Sequence, residues 1–138
     1  MSKLMKLLLS SAVAMLSGIA AAQSVTTSPE LYPGEKALYE AARKEGMVVS
    51  FDTGPTWANW AAQFRAFKQR YPEVEIVYND LGSAATVVAL DKARNRPQAD
   101  TAYYFAASAI DAVDKGVVAP FKPVNFDKLP AVFKDPDG

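Results

Sequence analysis

Helical and extended periodicities alternate along this chain. Over Glu35–Glu45, Leu38, Ala41 and Ala42 fall on one face, and Gly46 follows as a helix stop. Met47–Phe51 is a short apolar run around Val48-Val49 and reads as a buried strand. Trp57–Tyr71 carries Trp57, Trp60, Ala61, Phe64, Phe67 and Tyr71 at helical spacing, with Pro72 ending the helix. Arg65, Lys68, Gln69 and Arg70 lie mostly off that stripe. In Val74–Tyr78, Val74, Ile76 and Tyr78 alternate against Glu75 and Val77, a second strand. A third helix is predicted over Ala84–Arg94, with Ser83 as its N-cap. Ala99–Phe105 reads as the third strand. Ser108–Lys115 reads as a short helix with a Ser-x-x-Asp start, ended by Gly116. Val117–Phe121 reads as a further extended piece. The polar leader Ser24–Pro33 and the Pro-, Asp- and Lys-rich stretch Lys122–Gly138 carry no clear element.

The predicted order is α-β-α-β-α-β-α. Strands separated by helices imply right-handed crossovers and a parallel sheet covered on both faces, a three-layer α/β sandwich. Three strands make a small sheet with open edges, so the pattern reads as part of a domain.

Composition narrows the chemistry. Lys3 and Lys6 precede an apolar run from Leu7 to Ile19, and small residues at Ala20 and Ala22 suit a signal peptidase. Residues 1–22 are therefore expected to be a cleaved export signal, with cleavage after Ala22. Ser10, Ser11, Ser17 and Gly18 interrupt the run, which is too short for a spanning helix. Gln23 rather than Cys follows the cleavage point, so a free periplasmic chain is expected. Lys and Arg balance Asp and Glu over the whole sequence. Loss of Lys3 and Lys6 leaves a slightly acidic chain without a basic block, which speaks against nucleic acid. Without Cys, an exported domain depends on an ordinary core rather than disulfides. Without His, it lacks the commonest general base, Ser-His triads and most zinc sites. No cofactor is expected.

Ligands of open parallel sheets sit beyond the carboxyl ends of the strands. Three loops meet that rule. The first, Asp52–Trp57, offers Thr53 and Thr56 hydroxyls, Gly54 for close backbone approach, and Trp57 for stacking. The second offers Gly82 and Ser83 before a helix, a pattern that binds carboxylate or phosphate. The third offers Ser108. Each set has a plainer reading. Turn and cap chemistry favours the same residues, and an aromatic stripe including Trp57 and Trp60 is most often core. Tyr103 and Tyr104 point to opposite faces of their strand, so one of them could line a cleft. Asp52 and Asp80 both end strands and would be the carboxylate pair of a periplasmic hydrolase, although no Gly-x-Ser-x-Gly elbow accompanies them.

The stretch from Ala37 to Phe51 (ALYEAARKEGMVVSF) resembles the start of mature family 1 extracellular solute-binding proteins. So do Tyr71-Pro72-x-Val74-x-Ile76, Gly82-Ser83, Pro97-Gln98-Ala99-Asp100, the run from Asp114 to Phe121 (DKGVVAPF), and Lys134–Gly138 (KDPDG). The resemblance spans nearly the whole chain after residue 22 and is specific to the superfamily rather than to a ligand. It implies a two-lobed, type II-like periplasmic binding protein, of which residues 35–138 are an incomplete N-terminal lobe behind a leader at 23–34. It further implies a monomer that is not an enzyme and hands its solute to an ABC permease in the inner membrane. The group resembled includes ferric-ion, polyamine and phosphorylated-solute binders. The loops lean towards a small anionic organic solute, with ferric ion as the other reading, and Asp52, Asp80 and Trp57 keep polyamines open. A truncated chain without function is the remaining expectation.

Overall fold

The computed structural model describes residues 24–138. The expected export signal lies outside the described residues. Four helices and three strands alternate: α1 Glu35–Glu45, β1 Met47–Phe51, α2 Trp60–Arg70, β2 Glu75–Tyr78, α3 Ser83–Lys92, β3 Thr101–Ala102 and α4 Ala106–Asp114. α1 and β1 take the predicted bounds. Gly46 makes their abrupt junction possible: its φ of 83° is left-handed, and its N–H closes α1 on the Ala42 carbonyl.

The sheet is parallel, in the order β2-β1-β3. Val48 and Ser50 register with Ile76 and Tyr78, and Ser50 with Thr101, so these side chains share one face. α2 covers that face, with Phe64 stacked on Tyr78 and Trp60 against Tyr103. Ala102 and Tyr104 belong to the other face, where they share a hollow with Leu90 of α3. The architecture is thus mixed α/β around a small open parallel sheet.

Several sequence expectations need correction. α3 starts at Ser83 with Gly82 in the cap position, so Ser83 is not the predicted N-cap, and α4 starts at Ala106 after Phe105, so the Ser-x-x-Asp start at Ser108 does not form. α2 begins at Trp60, not Trp57, because Ala58 and Asn59 adopt left-handed φ values of 44° and 57°. β3 spans two residues rather than seven. It pairs on one side only, and the Asp100 carboxylate takes the Val49 N–H at 2.8 Å, where a ladder bond would otherwise form. Residues 117–121 form no strand; they run beside the hollow at β3. Further on, two short 3₁₀ turns, Phe126–Lys128 and Ala131–Phe133, fold the tail, with the Lys122 and Lys134 ammonium groups over the Phe126 ring.

The leader contributes more than its polar composition suggests. Val25 is fully buried and packs with Tyr39 and Val74, while its N–H donates to the Arg70 carbonyl at 2.9 Å. Beside it sits a buried ion pair. Arg70 donates to both Glu35 carboxylate oxygens, at 2.9 and 2.6 Å, and to the Pro29 carbonyl at 2.8 Å. The Tyr71 hydroxyl and the Leu31 N–H also donate to Glu35, at 2.7 and 2.6 Å. A charge out of water is tolerated only when paired and hydrogen-bonded this fully. The Arg70 hydrogen bonds hold the Glu35 carboxyl down at about 2; burial opposes them, and Tyr71 and Leu31 reinforce them.

This depressed carboxyl makes a pH-dependent contribution to stability. Its folded value lies below the ordinary 4.5, so the contribution is complete above about pH 4.5 and fades as pH falls towards 2. Glu35→Gln is expected to cost about 3 kcal/mol at neutral pH, because Arg70 loses its partner. The gap between variant and parent should narrow between pH 4.5 and 2. Urea unfolding across that range measures it, and a gap independent of pH would contradict the assignment.

Candidate functional site

The carboxyl edge of the sheet is organised by Asp52. Its backbone turns left-handed at φ 54°, and its side chain is almost fully buried. That turn aims the carboxylate at the start of α3. One oxygen accepts the Gly82 N–H at 2.8 Å, and the other accepts the Ser83 hydroxyl, also at 2.8 Å. The Ser83 oxygen in turn accepts the Phe105 N–H at 3.0 Å. One carboxylate therefore ties the end of β1 to the start of α3, and through Ser83 to the loop after β3. A helix start attracts negative charge, and here the chain supplies that charge itself.

Asn79 completes the junction. Its side-chain oxygen accepts the Asp52 N–H at 3.1 Å, and its carbonyl accepts the Thr53 N–H at 2.9 Å. The Thr53 hydroxyl is buried against Ser50, with bonds to its hydroxyl at 2.9 Å and its carbonyl at 3.3 Å.

A second, more open group lies at the same edge. The Trp57 indole N–H donates to the Asp80 carboxylate at 3.1 Å. Its ring meets Tyr103 edge-on at 5.1 Å between centroids, and Tyr103 meets Phe105 edge-on at 5.9 Å. Phe105 is exposed, and Trp57 and Tyr103 are half-buried. Gly54 makes the close approach of Asp80 possible: a Cβ there would stand 2.6 Å from an Asp80 carboxylate oxygen. Non-glycine left-handed residues cost about 1–2 kcal/mol each, and those of the described chain are Asp52, Ala58 and Asn59, all in the β1–α2 loop. Strain of this kind gathers where a loop is held for a purpose.

The seven residues singled out from sequence therefore separate. Thr53, the Gly82 N–H and the Ser83 hydroxyl are committed to the chain's own partners, so the anion-binding expectation for Gly82-Ser83 gives way to a structural role. Gly54 shapes the approach of Asp80. Trp57 lies on the open rim. Thr56 is exposed and Ser108 is half-buried, and neither side chain hydrogen-bonds within the described residues. Thr56 is also not a cap, since Asn59 precedes α2. Asp52 has both oxygens engaged, which leaves it poorly placed to act as a base. Sequence reasoning gave no role to Asn79 or Phe105 and saw Asp80 only as a polyamine carboxylate or half of a hydrolytic pair. Asp80 and Phe105 end their predicted strands, and nothing local distinguishes them from turn residues.

A hollow of about 770 Å³ opens elsewhere, beside β3 between Leu90, Arg94 and residues 116–121. Tyr104 lines it, with a buried hydroxyl that has no partner among the described residues; burial, then the Asp52 charge, pushes that hydroxyl up. The hollow flanks β3 rather than capping strand ends, so it lacks the geometry of a sheet-edge ligand site. Among the described residues no group of three or more His, Cys, Asp or Glu side chains gathers at a metal position. No family model matches the chain, and no curated protein matches it.

Removal of the Asp52 carboxylate tests this organisation. Asp52→Ala leaves the Gly82 N–H and Ser83 hydroxyl without partners and should cost about 2 kcal/mol. Asp52→Asn keeps an acceptor and tolerates the left-handed backbone, so it should cost about half as much. Equal losses in urea unfolding would contradict the role of the side chain as an acceptor.

Proposed function

We propose that this chain captures a small organic solute in the periplasm and delivers it to an ABC importer, as one lobe of a two-lobed, type II-like binding protein. The observation that carries this reading is the strand order β2-β1-β3. The chain leaves β1 towards β2 on one side and returns to β3 on the other, so β1 and β3 flank a topological switch point. Loops diverge there and leave a crevice outside the carboxyl ends, which is where open α/β sheets hold ligands. Trp57 follows β1, Tyr103 and Phe105 follow β3, and Asp80, after β2, joins them through the Trp57 indole.

Two further features support the reading. The N-terminal sequence has the layout of an export signal. The described surface also carries many exposed large apolar side chains, including Phe105, Ile110 and Val113 on and beside α4, and Phe121, Val132 and Phe133 in the tail. Apolar surface of that extent marks contact with another body. A facing lobe would cover part of it and close over the solute. Capture rather than catalysis fits an edge whose buried carboxylate is fully hydrogen-bonded.

Thermal melts of the full chain test the proposal. Carboxylates, phosphorylated solutes, polyamines and ferric citrate would each be titrated. A solute that binds only the folded form raises its stability by about 2.7 kcal/mol at a hundredfold excess over Kd, a shift of several degrees. One chemical class is expected to give a saturable rise. A flat melting point with every class would argue against solute capture.

A further inference from the structure

The polar groups left open at the crevice name a ligand class; this step rests on the solute-capture reading above. We infer that the crevice takes an organic ammonium ion, held over the Trp57–Tyr103–Phe105 row with Asp80 as its counter-charge. The three loops at the carboxyl edge, residues 52–59, 79–82 and 103–105, contain no Lys and no Arg. They contain two carboxylates. Asp52 is buried and neutralises the α3 start, whereas Asp80 is exposed and bound to the indole of Trp57. The remaining charge of the edge is therefore negative.

The aromatic geometry agrees with this charge. Trp57 and Tyr103 lie at 70° to each other, and Tyr103 and Phe105 at 84°. Trp60 also meets Trp57 and Tyr103 edge-on, at 6.2 and 5.9 Å, so Tyr103 is hemmed by three rings and the π-surface left for a cation is that of exposed Phe105 and half-buried Trp57. A carboxylate hydrogen-bonded to the indole N–H adds electron density to that ring and fixes its orientation. One feature pulls the other way. The α4 start has no side-chain cap, and a helix start favours anions. No basic side chain in the three loops reinforces it, whereas Asp80 and the Trp57 and Phe105 rings favour the cation.

Tryptophan fluorescence of the full chain provides the test, since Trp57 and Trp60 are the two indoles of the chain and touch each other. Putrescine and choline are the cationic probes, and succinate is the anionic one. Saturable change with a cation and none with succinate is expected, weakened by added salt. Asp80→Asn keeps an oxygen to accept the indole N–H but removes the charge, and should weaken cation binding about tenfold. Trp57→Phe keeps a ring and should lose less than Trp57→Ala. Saturation by succinate alone would overturn the cation and leave solute capture standing. Cation binding unchanged by Asp80→Asn would likewise remove Asp80 from the site. No response to any probe here, together with flat melting points above, would sink both readings.

Discussion

The Asp52 carboxylate joins three pieces of chain that are distant in sequence: the end of β1, the start of α3, and, through Ser83, the loop after β3. Left-handed backbone at Asp52 is the local cost, and two short bonds to a helix start are the return. With the side chain nearly excluded from water, each bond is worth more than at the surface. Without this tie, the Gly82 N–H would stand open and the loop carrying Tyr103 and Phe105 would lose an anchor. The arrangement of the loops at the β1–β3 edge therefore depends on a carboxylate whose two oxygens are already engaged within the chain.

Side chains along this edge divide into an inner and an outer set. Inner polar groups, at Asp52, Thr53, Asn79 and Ser83, satisfy one another. Outer groups, at Trp57, Asp80, Tyr103 and Phe105, remain accessible. Gly54 couples the two layers, since its missing side chain lets Asp80 fold back towards β1 and reach the indole. At the opposite end of the domain, the Glu35–Arg70 pair fastens the leader onto α1 and α2 and completes the small core around Val25, Tyr39 and Val74.

Much of the architecture was legible in the sequence because its signals are local. Amphipathic spacing located α1, β1 and β2 closely, and a glycine marked the α1 stop. Element boundaries slipped where a long-range contact overrides local preference. Trp57 continues the helical stripe in sequence, yet Asp80 and Tyr103 draw it out of α2. Asp100 shortens β3 by supplying a side-chain acceptor to the ladder. Val25 is a single apolar residue in a polar leader and gives no periodicity to read. The same limit applies at the site. Gly82-Ser83 has the composition of an anion cradle, but only the fold reveals that Asp52 already fills it.

Amide chemical-shift mapping of the full, isotope-labelled chain with choline addresses the central claim most directly, because it reports where a ligand sits. The account predicts shifts clustered at residues 56–59, 80 and 103–106, with the Gly82 and Ser83 amides changing little. Shifts centred on Gly82 and Ser83, or on residues 116–121 beside the β3 hollow, would contradict a crevice closed at its inner layer by Asp52 and open only along the aromatic rim.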